Sequence, residues 1–339
     1  MNARLLITDA ELRPYGPGDD WSDRLHALLR HQQQTWDLLR AGYESLARAK
    51  TREFEIEDST ILVQCNPGRL ASTAANVDTN AIKTRRCFLC ADNLPPAQRA
   101  LFYGNEYLLL ANPFPIFPEH FTMPHVRHTT QEIRVALPVF LELSKDLAKR
   151  YTLFYNGPKC GASAPDHLHL QAGNKGFMPI DQEYETLVTD LGEKIADVEG
   201  LLVFAVGKFL RRFFAFESDD AALLLAAIHR FLDTARTLSG SDEEPMINIL
   251  SSYHEGEWRV IVFPRTRHRP SFFGEEGDAF LISPAAVDLG GVLTLPREHD
   301  FDRITPEIIV RLYEEITMRE EQFDRLTMLL RPALMALRV

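Results

Sequence analysis

The sequence lacks an excess of positive charge and any long apolar run. Among its 339 residues, 48 are acidic and 37 are lysine or arginine, which gives a formal net charge of −11. Such a surface would repel nucleic acid and anionic membranes over most of its area. No stretch reaches the roughly 18 apolar residues of a membrane span, and the apolar run in MNARLLITDA is too short for a signal peptide. We therefore expect partners other than nucleic acid and membranes.

Cysteine is also scarce, with four residues in the chain. Two of them, Cys87 and Cys90, form a Cys-x-x-Cys pair. A few cysteines without a secretory signal are typical of the reduced cytoplasm and not of a disulfide framework. The expected location is therefore cytoplasmic.

Apolar spacing predicts the elements of the first half. It predicts one long amphipathic helix over about residues 19–50, a hairpin ending in STILVQC, and two strands around a crossing loop in EYLLLANPFPIFPEHFTMPHVRH. A helix follows over 130–150, which Pro138 is expected to kink or start. YTLFYNG and HLHLQA are then predicted strands, joined by the loop PKCGASAPD.

The second half repeats this order. It has a strand in KFLRRFFAFES, a helix in DDAALLLAAIHRFLDTARTLS, a strand pair in MINILSSYHEGEWRVIVFPR and a closing helix over 305–330. The repeat predicts an α+β fold of two duplicated units, with antiparallel sheets and flanking helices. We place the N-terminal unit at 1–178 and the C-terminal unit at 179–339. Because no low-complexity linker separates them, the two halves should pack as one body.

The segment DHLHLQAG carries an unusual run of polar residues. Side chains alternate between the faces of a strand, so His167, His169 and Gln171 share one face while Leu168 and Leu170 share the other. The leucine face is typical of a core. Taken alone, the two histidines could be buried core residues or a pair of metal ligands.

The longer segment NGPKCGASAPDHLHLQ resembles the active-site segment of the histidine-triad superfamily, in its transferase branch. That branch holds galactose-1-phosphate uridylyltransferase, diadenosine tetraphosphate phosphorylase and the GDP-sugar phosphorylases. The shared pattern is an asparagine, a loop rich in glycine and serine, and His-x-His-x-Gln. The resemblance covers about residues 60–175 and implies that each half is a histidine-triad-like unit. One departure is Asp166, which is inserted before the first histidine relative to the uridylyltransferase pattern.

The resemblance implies an enzyme, a nucleotidyltransferase of the phosphorylase type, in which His169 attacks phosphorus and forms a nucleotidyl–histidine intermediate. The donor would be a dinucleoside polyphosphate or a nucleoside-diphosphate sugar, and the acceptor phosphate or a sugar phosphate. Gln171 stands where the hydrolase branch carries a third histidine. Since glutamine cannot deliver a proton, it favours transfer over hydrolysis. Asn156 and Ser163 complete the candidate catalytic set.

Local clusters of donors could hold phosphate in this acidic chain. The loop from Gly157 to Ser163 offers backbone N–H groups, a lysine and a hydroxyl. The segment QCNPGRLAST lies where related transferases contact phosphates, and FPRTRHRP is a basic cluster in the second half, although either segment could instead be solvated. The candidate substrate-binding residues are Asn66, Arg69, Gly157, Lys159, Gly161, Arg265, Arg267 and His268.

Cys87 and Cys90 can supply half of a tetrahedral zinc site. The resemblance implies that His128 and His167 complete it, and His120 and His125 are nearby alternatives for the third position. The zinc would be structural, because it would fix the base of the strand that carries the nucleophile. A buried or redox-active cysteine pair is the alternative.

Two other classes of function stay open. The chain could be a zinc-dependent phosphohydrolase, in which His167 and His169 bind a zinc ion that activates water. It could also be a non-catalytic nucleotide-binding protein with the same fold. The second-half strand EWRVIVFP takes the place of DHLHLQAG without a histidine pair, so that half is expected to shape the substrate cleft. No motif in the sequence identifies the base, the sugar or the acceptor. A homodimer is one expected oligomeric state.

Overall fold

A computed structural model describes residues 4–57, 59–74, 79–198 and 200–337 of the chain. The strands are β1 (Lys50–Ile56), β2 (Ser59–Cys65), β3 (Ala100–Tyr103), β4 (Tyr107–Ala111), β5 (His120–Pro124), β6 (Tyr151–Asn156), β7 (His169–Asn174), β8 (Gly192–Val198), β9 (Leu201–Val206), β10 (Phe213–Ser218), β11 (Ile247–His254), β12 (Glu257–Pro264) and β13 (Val292–Leu295). The helices are α1 (Asp9–Leu12), α2 (Trp21–Thr35), α3 (Asp37–Ala47), α4 (Leu70–Thr73), α5 (Thr79–Thr84), α6 (Ile133–Asp146), α7 (Pro179–Leu191), α8 (Ala221–Ser239), α9 (Ala286–Leu289), α10 (Glu298–Arg303), α11 (Pro306–Ile316) and α12 (Glu320–Met335).

The two halves have the same topology. In each, three strands are followed by a helix and two more strands, and the strands lie in the order first, second, third, fifth, fourth. The fourth strands, β6 and β11, pair with each other, so the two five-stranded units form one ten-stranded antiparallel sheet. The predicted α+β fold with a duplicated antiparallel unit is confirmed. Strands β8 and β9, which open the second unit, were not predicted from the sequence.

The strand alternation of this sheet separates two cores. Leu153 and Tyr155 of β6 lie in the core on the face covered by α6 and α8, whereas Phe154 lies in the core on the opposite face. That opposite face is covered by α7 and by a second sheet in which β13, from the second half, pairs in parallel with β2 of the first half. Segments of both halves therefore meet above the strand that carries His169.

The predicted helix over 19–50 is two helices in the structure, α2 and α3. Trp36 between them is extended (φ −133°, ψ 105°), and its ring is 5% exposed. The break lets this ring enter the core, and the burial of an aromatic ring outweighs the continuation of one helix. At Gly42 of α3, a Cβ atom would lie 2.0 Å from the carbonyl oxygen of Pro113, so glycine permits the close approach of α3 to the loop after β4.

The closing helix over 305–330 is also divided, into α11 and α12. Thr317 is extended (φ −80°, ψ 159°), and Met318 donates its backbone N–H to the carbonyl oxygen of Pro264 at 3.0 Å. This hydrogen bond to the end of β12 takes the place of the bond that Met318 would make within a continuous helix. The helix predicted over 130–150 is present as α6, and Pro138 lies inside it and does not start it.

Within the described residues, no helix is both long enough and apolar enough to cross a membrane.

Candidate functional site

A cleft of about 360 Å³ lies between the two halves on the face of the sheet that carries His169. Its wall in the first half is mostly apolar, and the other wall comes from the second half. The residues that line it include Trp36, Leu38, Leu94, Pro95, Phe114, Asn156, His169 and Gln171 from the first half and His268, Arg269, Ala285 and Asp288 from the second. Strand alternation directs His169 and Gln171 of β7 into this space, as predicted.

Backbone contacts fix the orientation of the His169 ring. Its Nδ1 atom lies 2.9 Å from the carbonyl oxygen of His167, which can only accept, so Nδ1 carries the proton and Nε2 keeps a lone pair. Gln131 accepts the His169 N–H at 2.8 Å and donates to the carbonyl oxygens of Asn156 and His169. Burial lowers the pKa of His169 to about 4, so the imidazole is neutral near pH 7. Gln131 precedes α6 and is far from the motif in the sequence, so no local pattern indicates its role.

Asn156 connects the two halves next to the His169 ring. Its Oδ1 atom accepts from the Asn248 side chain at 2.9 Å and from the backbone N–H of Ala286 at 2.8 Å. Because the oxygen is used in this way, the amide N–H groups of Asn156 are left for the cleft, which this residue lines.

Arg265, a candidate substrate-binding residue, lies behind the cleft and does not line it. It is 3% exposed, and its guanidinium donates to Asn248 Oδ1 and to the carbonyl oxygens of Pro284, Arg267 and His268. These four acceptors occupy both of its terminal nitrogens. Arg265 therefore orients Asn248, and through it Asn156.

The remainder of the basic cluster is divided between the surface and the cleft. Arg267, a candidate substrate-binding residue, forms an ion pair with Glu315 at 3.3 Å on the surface and does not line the cleft. His268, a second candidate, lines the cleft. Arg269, a member of the cluster that was not selected from the sequence, also lines the cleft, and its guanidinium lies 4.0 Å from the ring centroid of Phe273.

The first part of the loop before β7 is used for structural contacts. The N–H of Gly157 donates to the carbonyl oxygen of Ile247 at 3.1 Å, so it is not available to a phosphate. Lys159 is exposed and forms an ion pair with Glu243. Both residues were predicted to bind substrate, and neither lines the cleft.

The second part of the same loop faces the cleft. Gly161, Ala162 and Ser163 line it, and their backbone N–H groups have no acceptor among the residues described. Gly161 has a φ of +88°, and a Cβ atom there would lie 2.6 Å from the Cβ atom of Ala285. Consecutive free N–H groups around a left-handed residue form a concave site for anions. Gly161 and Ser163, both candidate site residues, thus lie in this part of the loop.

Asn66 is a structural residue and not a cleft residue. It is 1% exposed, accepts from the N–H of Gly68 at 3.1 Å and donates to the carbonyl oxygen of Pro115 at 3.1 Å. Asn66 was predicted to bind substrate, and the structure places its amide between the turn after β2 and the loop before β5, outside the cleft.

Arg69 lines the cleft and carries its charge in a buried environment. Burial lowers the pKa of its guanidinium to about 10, which leaves it protonated near pH 7, and the Asp288 carboxylate opposes this shift. It also donates to the carbonyl oxygen of Phe114. Arg69 is therefore positioned to attract an anion into the cleft and also stabilises the loop after β4.

Four residues next to the cleft form a cluster that could hold a metal ion. The ligand atoms of Cys87, Cys90, His128 and His167 all lie within 4.8 Å of one another. His167 donates from Nε2 to the carbonyl oxygen of His125 at 2.7 Å, which leaves Nδ1 directed at the sulfur atoms without a proton. His128 thus fills the third position in the cluster.

The two alternative histidines have other partners. His125 accepts the N–H of Arg127 at its Nδ1 atom, and His120 is hydrogen-bonded to Gln171. Asp166, the inserted residue, lies 3.6 Å from Nε2 of His128 and forms an ion pair with Arg85. The inserted residue therefore lies beside the cluster and is held there by its ion pair with Arg85.

In the second half, β12 occupies the place of β7. Both hairpins pair the first residue of the fourth strand with the last residue of the fifth, Tyr151 with Asn174 and Ile247 with Pro264. This register matches His169 with Arg259 and Gln171 with Ile261. The second unit therefore carries neither a nucleophile nor an amide at the equivalent positions.

Comparisons with known proteins agree with the topology. A family model described as a domain of unknown function (DUF4922) matches residues 28–174, and the model of the GDPGP1-like C-terminal domain matches residues 187–335. A search of curated proteins found no match. The crystal structure of yeast Ap4A phosphorylase Apa2 in complex with AMP is 19% identical, with a TM-score of 0.56, and the match covers 86% of this chain and 97% of that chain. For Apa2 in complex with Ap4A the identity is 17% and the TM-score 0.56, with 85% and 97% covered. The predicted resemblance is confirmed at the level of the fold: the chain shares the fold of Apa2 over most of its length, and its second half matches the GDPGP1-like C-terminal domain.

Proposed function

We propose that the protein is a nucleotidyltransferase of the phosphorylase type with His169 as its nucleophile. The observation that carries this proposal is the position of its Nε2 atom. That atom keeps its lone pair and faces a cleft in which Gly161, Ala162 and Ser163 offer free N–H groups. A neutral imidazole beside an anion-binding loop is suited to attack on phosphorus.

The reaction would have two steps. In the first, the Nε2 lone pair of His169 forms a bond to the α-phosphorus of the donor, and the bond from that phosphorus to the bridging oxygen breaks, so that a phosphate-terminated group leaves. In the second, an oxygen of the acceptor phosphate attacks the same phosphorus, and the N–P bond breaks and restores the imidazole. No proton is required by a leaving group that departs as a phosphate anion, which suits Gln171.

The donor is proposed to be a dinucleoside polyphosphate or a nucleoside-diphosphate sugar, and the acceptor phosphate or a sugar phosphate. Apa2 is an Ap4A phosphorylase whose structures contain AMP and Ap4A, and the second half matches a GDPGP1-like domain. The apolar wall around Trp36 and Phe114 suits a nucleobase, while Arg69 and Arg269 supply positive charge for phosphates in a chain of net charge −11.

We propose that the metal cluster binds one structural zinc ion. Zn–S bonds of about 2.3 Å and Zn–N bonds of about 2.0 Å place sulfur and nitrogen ligands of a tetrahedron roughly 3.5 Å apart. The corresponding distances are 3.3 Å for Cys87 Sγ to His167 Nδ1, 3.6 Å for Cys90 Sγ to His167 Nδ1 and 3.2 Å for Cys90 Sγ to His128 Nδ1. Two thiolates and two imidazoles would fill the tetrahedron, which argues against the alternative of a catalytic zinc with an open position for water.

The test is to mix the protein with a panel of nucleotides and nucleotide sugars and to weigh it intact. We expect a mass increase equal to one nucleotidyl group, that is, a nucleoside monophosphate less one water, and its loss on addition of phosphate or a sugar phosphate. His169→Ala should abolish this increase and retain the zinc, because His169 is not in the metal cluster. Loss of zinc together with activity would favour the phosphohydrolase, and failure of every donor to label the protein would favour a non-catalytic nucleotide-binding protein.

The division of the chain at residue 178, the cytoplasmic location and a homodimer stay predictions.

A further inference from the structure

The side-chain amide of Gln171 can take two orientations that differ in the edge it presents to the cleft. One edge of its amide donates hydrogen bonds and the other only accepts them. A phosphoryl oxygen carries negative charge, so the donor edge would stabilise it and the acceptor edge would repel it. A carboxamide in a cleft can rotate between the two orientations unless a second group fixes it.

His120 is the group that contacts the amide. Its Nε2 atom lies 3.0 Å from Oε1 of Gln171, while its Nδ1 atom lies 3.2 Å from the backbone N–H of Ile116. A backbone N–H can only donate, so Nδ1 must be the acceptor and the proton of the neutral ring must lie on Nε2. The Nε2–H group then requires an acceptor on Gln171, which fixes Oε1 toward His120. The Nε2 amide group of Gln171, which has no partner among the described residues, is left for the cleft.

The surroundings keep His120 in this state. It is 1% exposed, and its ring packs edge-on against Phe117 with 5.5 Å between centroids. Phe117 in turn lies on Gly173, where a Cβ atom would be 2.5 Å from the phenyl ring, so only glycine permits this packing. Burial, together with the positive charge of Arg69, lowers the pKa of His120 to about 3. The ring is therefore neutral at any pH at which the protein would be assayed.

We propose that His120 is a positioning residue that holds the amide of Gln171 with its N–H groups directed at the phosphoryl group on His169. This inference rests on the proposed function, because it concerns the group that His169 transfers. His120 thus acts through Gln171 and does not contact substrate. Its Nδ1 atom accepts from the N–H of Ile116, which fixes the tautomer, and its Nε2–H group donates to Gln171, which fixes the amide.

Two substitutions separate the donor to Gln171 from the acceptor for Ile116. In His120→Gln, the side-chain amide nitrogen can replace Nε2 as the donor to Gln171. In His120→Asn, the side-chain oxygen can replace Nδ1 as the acceptor for Ile116, but the donor to Gln171 is lost. We expect His120→Asn to slow labelling of His169 at saturating donor by about tenfold or more, since loss of one oriented donor at a developing oxyanion costs about 10²–10³ in kcat. The KM for the donor should change little, and His120→Gln should restore much of the rate.

A double-mutant cycle distinguishes positioning from a general structural defect. In a Gln171→Ala protein the amide is absent, so adding His120→Asn should cause no further loss of rate. A further loss of the same size as in the wild-type background would overturn the inference, as would equal rates for His120→Asn and wild type. Zinc content and melting temperature should be matched between His120→Asn and His120→Gln to show that both fold.

An independent measurement does not require activity. Long-range ¹H–¹⁵N NMR spectra of the histidine side chains, with His120 assigned by the His120→Gln variant, should show the tautomer with the proton on Nε2. A proton on Nδ1 would overturn the inference even if the enzyme is labelled as proposed. Conversely, the Nε2–H tautomer in a protein that no donor labels would leave the hydrogen-bond assignment intact and refute the proposed function.

Discussion

Replacement of Gly161 by alanine tests whether the anion-binding loop depends on its close contact with the second half. The residue has a φ of +88°, which costs an L-residue roughly 1–2 kcal/mol. The new Cβ atom would also lie 2.6 Å from Ala285 Cβ and 2.8 Å from the carbonyl oxygen of Pro284. Since overpacking costs typically about 1–3 kcal/mol, the total loss in the free energy of unfolding should be about 2–5 kcal/mol.

Gly176→Ala is the matched control, because it has the strained backbone without the clash. Its φ is +76°, and a Cβ atom there would meet nothing within 4 Å. The control should therefore lose only the roughly 1–2 kcal/mol of backbone strain. The difference between the two variants isolates the contact between Gly161 and the second half.

The functional consequence should also differ between the two variants. Displacement of the segment at Ala285 would disturb the N–H of Ala286 that donates to Asn156, as well as the loop N–H groups beside His169. We expect Gly161→Ala to slow labelling by a donor at least tenfold, as loss of oriented donors predicts, and Gly176→Ala to label at the wild-type rate. Urea unfolding and intact mass spectrometry measure the two effects. Equal stability and equal labelling of the two variants would refute the reasoning.

Three further outcomes are expected. Cys87→Ser should lose the zinc ion and melt at a lower temperature. Cys65→Ser, which lies outside the cluster, should keep about one zinc per chain. Full zinc content and full stability in Cys87→Ser would exclude the zinc site. Gln171→His should raise hydrolysis relative to transfer, because an imidazole can deliver a proton, and rapid hydrolysis by the wild type without acceptor would contradict the transferase. Burial raises the pKa of Glu244 to about 7, so the folded state binds more protons than the unfolded state between pH 4.5 and about 7. The free energy of unfolding should therefore fall by up to roughly 3 kcal/mol as the pH rises through that window, and urea titrations of Glu244→Gln should lack this part of the slope.

The motif in the first half was predictable because its information is local. Strand alternation placed His169 and Gln171 on one face, and the Cys-x-x-Cys spacing identified two thiols that close a metal cluster with His128 and His167. Each of these inferences depends on residues a few positions apart. The element order similarly predicted the duplicated α+β unit, since both halves keep the same sequence of strands and helix.

The candidate residues that lie outside the cleft have partners that are distant in the sequence. Lys159 pairs with Glu243, and both terminal nitrogens of Arg265 donate to oxygens that include Oδ1 of Asn248. Neither contact follows from the segment in which the basic residue lies. A basic residue near a glycine loop has the same local appearance whether its partner is a phosphate or a distant carboxylate. The break at Trp36 has the same origin, because it depends on a tertiary pocket for the indole and not on helix propensity.

Because of the duplication, one chain contains one strand with the His-x-His-x-Gln motif and a cleft lined by both halves. At the position matching His169, Arg259 forms ion pairs with Glu217 and Glu185 and lies 3.6 Å from the ring centroid of Tyr184. An arginine, unlike a neutral histidine, has no nucleophilic lone pair, and these ion pairs hold its charge against two carboxylates. The second unit instead sends its later segments across the sheet, where Arg269 and Ala285 line the cleft of the first unit. Through the pairing of β6 with β11 the two units share one sheet, and segments of both units line the same cleft.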